Sequence, residues 1–223
     1  MESNAEIVED TNQYYLSFKI IVIGDSNVGK TCLTGRAAKD KFNTRYSPTI
    51  GFEFLTLCVK IDNRIVKLQI WDTCGQEIYR SLIKSFYRNA SLAMIVYSID
   101  SKKSFNNINE WMKDVKMQCL PNVRIFLIGN KNDLEDKRKV SFDKGKNFCK
   151  VNEFHLFMET SAKSGFNAKK LFINAAKLLY KDFIKLKNEG DLMKLNEENL
   201  LMKERKNLKL GNNNEEQSSY GCC

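Results

Sequence analysis

The sequence predicts an α/β fold, a mostly parallel sheet with helices on both faces. Short β-branched and apolar runs alternate with segments of helical periodicity over about 170 residues, which is the arrangement of strands joined by crossover helices. The chain has 223 residues, of which 43% are hydrophobic and 28% charged, enough to bury the core of one ordinary globular domain.

Six segments are predicted to be strands because they are short, rich in apolar or β-branched residues and bounded by turn residues. They are Lys19–Gly24, Phe54–Ile61, Arg64–Asp72, Leu92–Asp100, Arg124–Asn130 and Leu156–Ser161. Asp62-Asn63, between the second and third of these, is typical of a hairpin turn. The predicted sheet is therefore six-stranded.

Helical spacing marks the segments between the strands. Thr31–Lys39 is the first predicted helix. A second follows from apolar residues spaced three and four apart, at Phe105, Ile108, Met112, Val115 and Cys119. A last helix carries the stripe Phe172, Ala176, Leu179, Phe183 and Leu186, and Asn167 is a candidate N-cap for it.

Three regions are predicted along the chain. Residues 1–17 form a polar N-terminal arm, residues 18–187 the folded domain, and residues 188–223 a tail in which Asn, Glu, Gln and Ser replace apolar residues. The leucines of the tail also allow a transient amphipathic helix, so both a flexible solvated tether and such a helix remain open.

Composition and charge exclude several classes of protein. The longest uninterrupted apolar stretch, Leu92–Tyr97, is far too short for a transmembrane helix. No apolar signal segment is expected near Met1, because the first residues are acidic. Seven cysteines without a CxxC pair and a single histidine, His155, argue against a disulfide framework or a zinc site. The net charge of +9 fits nucleic acid, anionic lipid or a phosphate ligand equally well.

One motif indicates which ligand. The sequence after the first predicted strand matches G-x-x-x-x-G-K-[ST], with Gly24-Asp25-Ser26-Asn27-Val28-Gly29-Lys30-Thr31. Its glycines let the loop wrap so that backbone N–H groups meet phosphate oxygens, Lys30 adds a charge at the β and γ phosphates, and the Thr31 hydroxyl can ligate Mg²⁺. The motif predicts nucleotide binding but does not identify the base.

Two further segments indicate guanine. Asn130-Lys131-Asn132-Asp133 follows a predicted strand at the edge of the sheet where α/β proteins bind ligands. A carboxylate such as that of Asp133 accepts from both N1–H and N2–H₂ of guanine, a donor pair that adenine lacks. Asn130 can bond across the loops, and the Lys131 stem can lie along the base. Ser161-Ala162-Lys163, after another strand, can offer a backbone N–H to guanine O6.

A third group of residues suits hydrolysis at the γ-phosphate. In Asp72-Thr73-Cys74-Gly75-Gln76, Asp72 can hold Mg²⁺ through water, Gly75 allows the backbone to approach the phosphate, and Gln76 can orient an attacking water. Thr49 is a second candidate ligand for Mg²⁺. The alternative is an ordinary turn that ends a strand.

With these motifs the chain resembles the Ras-like small GTPases, and within them the Rab family, from about Phe18 to Lys187. Rab-like segments are Ile50–Phe54, Lys67–Trp71, Phe86–Ala90, Ile95–Asp100 and Gly221-Cys222-Cys223. The resemblance implies a P-loop fold whose six-stranded sheet has one antiparallel strand. It implies that Cys32 and Phe42 join the nucleotide site, Phe42 against the guanine, and that Lys30 and Gln76 act in catalysis. It also implies Thr49 and Gly75 as γ-phosphate sensors of the two switch segments.

Partners and a membrane anchor follow from the same resemblance. It implies an exchange factor, a GTPase-activating protein, a GDP-dissociation inhibitor or escort protein, and effectors that read Phe54, Trp71 and Phe86. Plain packing between the switches is the alternative for these three aromatics. Geranylgeranylation of Cys222 and Cys223 is implied as well, and two lipid chains anchor a protein stably where one does not. The expected location is the cytoplasmic face of a Golgi, ER or endosomal membrane, with a cytosolic pool and a monomeric protein.

The sequence departs from the Rab pattern at Cys74, Ile78, Tyr79 and Phe86, which stand where Ala, Arg, Phe and Tyr are usual. Because of these changes, the sequence does not identify the effector. Three other functions fit part of the sequence. A soluble Ras-like GTPase leaves the cysteine pair unexplained, and a P-loop kinase or ATPase leaves the guanine segments unexplained. For a nucleic-acid-binding module, the chain shows no dense basic run with interleaved aromatics.

Overall fold

A seven-stranded sheet forms the centre of the described structure, a computed structural model that describes residues 4–42, 52–73 and 86–189. Its strands are β1 (Ala5–Val8), β2 (Leu16–Ile23), β3 (Phe52–Ile61), β4 (Arg64–Thr73), β5 (Leu92–Ser98), β6 (Arg124–Asn130) and β7 (Leu156–Glu159). The helices in the described residues are α1 (Lys30–Lys39), α2 (Lys102–Asn106), α3 (Ile108–Gln118), α4 (Phe142–Val151) and α5 (Ala168–Asn188), with a 3-10 helix over Asn132–Lys137.

The strand order is β1-β3-β4-β2-β5-β6-β7. β2 lies parallel to both β4 and β5, and β5, β6 and β7 continue the parallel arrangement. β3 runs antiparallel to β4 through the predicted hairpin, in which Ile61 pairs with Arg64 and Asp62 takes a φ of 52°. The predicted α/β class with a mostly parallel sheet is confirmed.

The sheet has one strand more than the six predicted. β1 lies within the N-terminal arm and pairs antiparallel with β3, from Ala5 opposite Ile61 to Val8 opposite Cys58. Four residues carry too little periodicity to predict a strand, but the free edge of β3 offers backbone groups that need partners. The arm is also held by Asp10, which accepts from Thr56 at 2.6 Å and pairs with Lys67 at 2.9 Å.

The predicted helix from Phe105 to Cys119 is divided in two. Ser101 caps α2 by accepting from the backbone N–H of Ser104, and Asn107 separates α2 from α3. The apolar spacing continues across this break, so Phe105, Ile108 and Val115 all lie in the core as predicted. Trp111 is buried beside them and was missed, because it lies outside the stripe that the spacing marked.

α5 begins where the last helix was predicted. Asn167 stands just before it with a φ of 56°, and its side-chain amide donates to the carbonyl of Glu159. In the unit formed by residues 1–180, Phe172, Ala176 and Leu179 of the predicted stripe are buried. Of the second unit, residues 181–223, only 181–189 are described. None of the described helices has the length and apolar character needed to cross a membrane.

Candidate nucleotide site

The phosphate-loop motif forms the connection between β2 and α1. Gly24, Asn27 and Gly29 all have a positive φ, of 140°, 63° and 90°. At Gly24 a Cβ would lie 2.1 Å from the carbonyl oxygen of Val96, so no other residue fits there. This turn of the backbone places the loop at the carboxyl end of β2, where nucleotides bind in α/β sheets.

Lys30 has the buried position that the motif predicts. Its side chain is almost fully covered, and its ammonium donates to the carbonyl oxygens of Gly24 at 2.8 Å and Asp25 at 2.9 Å. Two backbone carbonyls of the phosphate loop therefore hold the Lys30 ammonium in place. A charge held this way needs little reorganisation when a phosphate arrives.

Thr31 and Asp72 are brought together from α1 and β4. The Thr31 hydroxyl donates to Oδ2 of Asp72, whose side chain is fully buried. Oδ1 of Asp72 has no hydrogen-bond partner among the described residues. Burial raises the pKa of Asp72 to about 6, against the lowering effects of Thr31 and Lys30. A buried carboxylate with an unused oxygen beside a hydroxyl is a donor set that fits Mg²⁺.

This donor set is small. The described residues hold no cluster of three or more His, Cys, Asp or Glu side chains that could hold a metal by themselves. Mg²⁺ is commonly held by one or two protein oxygens together with the phosphates of its nucleotide and water. Thr31 and Asp72 match that pattern, and Thr49, the third predicted ligand, lies outside the described residues.

The base-binding residues line one cavity of about 290 Å³. Those that line it are Asn27, Gly29, Cys32, Phe42, Asn130, Lys131, Asp133, Ala162 and Lys163, all of which the sequence analysis assigned to the nucleotide. They come from four separate parts of the chain. An aromatic ring, a carboxylate and an amide line the cavity, and these are groups that can bind a purine base.

Asn130 ties the phosphate loop to the base loops. Its amide Nδ2 donates to the carbonyl of Val28 at 2.8 Å, and its Oδ1 accepts from the Thr160 hydroxyl at 3.1 Å. Asp133 accepts from the Ser161 hydroxyl at 2.5 Å, which orients the carboxylate predicted to bind guanine. The bond that Asn130 was predicted to make across the loops is present.

Glu159 supports the base loops, and the sequence analysis missed it. This buried carboxylate accepts from Arg138 through both oxygens, at 2.7 and 2.8 Å, and from the Asn132 amide at 2.9 Å. Its hydrogen bonds and charge raise the pKa of Arg138. Because Asn132 lies between Lys131 and Asp133, Glu159 joins the two base-binding segments. Nothing in the local sequence marks it, since its partners lie 21 and 27 residues away.

A second cavity, of about 380 Å³, lies on the phosphate loop. It is lined by Asp25, Ser26, Asn27 and Val28 of the loop together with Lys131, Lys103 and neighbouring polar residues at the end of β5. Ser26, one of the predicted loop residues, is placed here. Asn27 and Lys131 line both cavities, so the two are adjacent.

Four aromatic rings cluster on the β3–β4 hairpin. Trp71 contacts Phe54, Phe86 and Phe52, with ring centroids 5.1, 5.2 and 5.3 Å away, and Phe52 lies 4.4 Å from Phe86. Phe52 and Phe54 are 43% and 48% exposed. Three of these residues are predicted from the sequence as an aromatic triad. Phe52 is not, although residues two apart on a strand share a face.

Several predicted residues lie outside the described structure. These are Thr49, Cys74, Gly75, Gln76, Ile78, Tyr79, Cys222 and Cys223. Their predicted roles in hydrolysis, switching and lipid attachment therefore stay predictions.

Comparison with known families agrees with this geometry. Residues 19–181, well over half of the chain, match the sequence model of the Ras family. Ras-family small GTPases bind GTP and GDP, hydrolyse GTP and act with regulatory proteins. β1 lies outside the matched residues. The match and the site together lead to one conclusion: the chain belongs to the Ras family and is a small GTPase, a switch that hydrolyses GTP.

Proposed function

We propose that this GTPase is Rab-like and acts as a membrane-tethered switch in vesicle-mediated transport. It would work on the cytoplasmic face of a Golgi, ER or endosomal membrane, with a cytosolic pool. The observation that carries the proposal is the aromatic cluster of Phe52, Phe54, Trp71 and Phe86, in which Phe52 and Phe54 are exposed. Exposed aromatic groups of this size are typical of protein docking surfaces.

The position of this cluster suits a switch. Phe52 begins β3, directly after the segment that contains Thr49, and Trp71 immediately precedes Asp72. Two residues separate the predicted γ-phosphate sensor Thr49 from Phe52, and three separate Trp71 from the other predicted sensor, Gly75, so a change at the γ-phosphate would reach the cluster over a short stretch of chain. Effectors that bind the cluster would then distinguish the GTP-bound from the GDP-bound form.

The site residues take the following roles in this proposal. Asp133 accepts from guanine N1–H and N2–H₂, Phe42 packs on the base, and backbone N–H groups of residues 24–31 bind the phosphates. Lys30 neutralises charge at the β and γ phosphates. Gln76 orients the water that attacks the γ-phosphate in line with the leaving oxygen.

Thr31 and Asp72, with Thr49, would hold Mg²⁺. The ion supplies positive charge that stabilises the phosphate oxygens as the bond to the leaving group breaks. No matched motif contains an arginine that could enter the site, so hydrolysis by the protein alone should be slow. A GTPase-activating protein would supply the missing cation, and an exchange factor would release GDP.

Cys222 and Cys223 are the proposed lipid attachment sites. Two geranylgeranyl chains would anchor the protein stably, whereas one chain gives only marginal, reversible binding. A GDP-dissociation inhibitor or escort protein would cover these chains in the cytosolic pool.

Fractionation and imaging of an N-terminally tagged chain test the membrane role. The tagged wild type is compared with Cys222→Ser/Cys223→Ser and with the control Ser218→Ala/Ser219→Ala, in cells that carry compartment markers. The proposal expects wild type and control on one compartment and the cysteine variant in the cytosol. Equal solubility of all three would refute membrane tethering and favour a soluble Ras-like switch.

A pair of matched phenylalanines tests the docking surface. Phe54 and Phe142 are equally exposed, at 48%, but Phe142 lies on α4, away from the cluster. Proximity labelling in a Gln76→Leu background should lose its GTP-dependent partners with Phe54→Ala and keep them with Phe142→Ala. Partners that survive Phe54→Ala would show that the cluster does not bind effectors.

A further inference from the structure

Asp25 brings a carboxylate into a loop that binds anions, and both of its oxygens are committed to α3. Oδ1 accepts from the indole Nε1–H of Trp111 at 2.8 Å, and Oδ2 accepts from the Asn107 amide at 2.8 Å. These donors stand 86 and 82 residues further along the chain. Hydrogen bonds to a charged group are stronger than those between neutral groups. The carboxylate thus links the phosphate loop to a distant helix.

Both donors are themselves held in place. Trp111 is 3% exposed and belongs to the hydrophobic core. Asn107 occupies the N-cap position of α3, where its side chain makes no capping bond, and its amide donates to Asp25. The loop is therefore tied to a rigid part of the fold and not to a mobile side chain.

The backbone of Asp25 also holds the catalytic charge. Its carbonyl accepts from the Lys30 ammonium at 2.9 Å, beside the bond from Lys30 to Gly24. A shift of Asp25 would therefore move the Lys30 ammonium with it. The other end of the loop is tied separately, by Asn130 to the carbonyl of Val28.

We propose that Asp25 is a positioning residue that, through Trp111 and Asn107, fixes the first half of the phosphate loop and thereby the Lys30 ammonium. Its carboxylate does this without contacting the nucleotide. The inference rests on the proposed nucleotide site. Asp25→Asn removes the negative charge that strengthens both hydrogen bonds, and its single oxygen accepts from only one of the two donors unless the Asn107 amide turns over. Lys30 is then less well placed, and GDP leaves sooner.

Release of a fluorescent GDP analogue from the full chain tests the proposal. Asp25→Asn and Asn107→Ala should each speed release by roughly tenfold, near the low end of the effect expected of one hydrogen bond to a charged group. Asn109→Ala is the matched control, since Asn109 is exposed and donates only within the same stretch of chain, to the carbonyl of Asn106. It should leave the rate unchanged.

The reciprocal swap separates positioning from general damage. In Asp25→Asn/Asn107→Asp the amide and carboxylate exchange places, so the bond between them re-forms in the opposite sense and Trp111 still finds an acceptor. The release rate should return to within about twofold of wild type, given that the geometry is kept and only the donor direction reverses. A double variant as fast as Asp25→Asn would refute the proposal.

An NMR measurement reads the bond directly. The chain has two tryptophans, and the indole N–H signal that disappears in Trp111→Phe belongs to Trp111. In Asp25→Asn that signal should shift while the Trp71 signal stays in place. Wild-type protein that fails to bind GDP would refute the nucleotide site itself. Wild type that binds GDP, with Asp25→Asn and Asn107→Ala releasing it within twofold of the wild-type rate, would refute only the positioning role.

Discussion

Glu159 offers the sharpest test of how the base loops are held. Glu159→Gln keeps the shape of the side chain but removes its charge, which leaves Arg138 without its buried partner. The Arg138 side chain is only 16% exposed and that of Glu159 only 5%. Breaking a buried ion pair from one side costs about 3–5 kcal/mol. Because Arg138 keeps its bond to Glu135, we expect the lower end, about 3 kcal/mol.

The same arginine provides the control. Glu135 pairs with Arg138 at 2.6 Å, but its side chain is 65% exposed. Water screens an exposed pair, which therefore contributes little to stability, so Glu135→Gln should have a small effect. Both substitutions remove one carboxylate from the Arg138 guanidinium, so the comparison measures the effect of burial on the stability that each ion pair contributes.

Thermal unfolding followed by calorimetry measures the difference. For a domain of this size, 1 kcal/mol corresponds to about 2–4 °C in Tm, so Glu159→Gln should lower Tm by about 6–12 °C. Glu135→Gln should lower it by less than about 4 °C. Equal shifts for the two variants, or a shift below about 2 °C for Glu159→Gln, would refute the reasoning that burial makes this pair important.

Three other predictions concern single side chains. Asp133→Asn should weaken GDP binding by about a hundredfold, since one of the two hydrogen bonds to guanine is replaced by a clash between N–H donors and the other loses its charge assistance. It should improve binding of xanthosine diphosphate, whose base has a carbonyl where guanine has N2–H₂. Competition against a fluorescent nucleotide measures both. Asp10→Asn should speed hydrogen exchange of the β1 amides at neutral pH. Hydrogen bonds from Thr56 and Lys67 lower the pKa of Asp10 from 3.8 to about 2. The stability that Asp10 contributes is therefore present above pH 3.8 and is lost only as pH falls toward 2. The protection of the β1 amides in wild type, corrected for intrinsic exchange rates, should be the same at pH 5 and pH 7. Unchanged exchange in the variant would contradict this role. Burial raises the pKa of Cys119 to about 11, so at pH 8 it should react with a thiol reagent roughly a hundredfold more slowly than free cysteine, as peptide mapping can measure. Labelling of the folded protein at the rate of free cysteine would contradict it.

The nucleotide site could be predicted from the sequence because its parts are local. The phosphate loop is contiguous, so Gly24, Gly29 and Lys30 mark it without knowledge of the fold. The guanine segments follow strands directly, and parallel strands bring their carboxyl ends to one edge of the sheet. The cavity around Asn130 and Asp133 therefore holds the residues that these motifs predict.

The supporting contacts could not be predicted, since each depends on residues distant in the chain. Glu159 looks like any other charged residue until Arg138 and Asn132 are placed around it. β1 becomes a strand only because the edge of β3 is available to it. The break between α2 and α3 is likewise hidden, because the apolar spacing runs through it.

Local sequence is enough to predict the fold class, the phosphate loop and the preference for guanine, because backbone turns and hydrogen-bonding groups at fixed spacing carry that chemistry. The contacts that hold these loops in place form only in the folded chain: Asp25 bonds to Trp111, Asn130 to Val28, and Glu159 to Arg138. A buried polar group must find a partner wherever the fold supplies one. Such partners are set by the packing of whole elements, which no local pattern records.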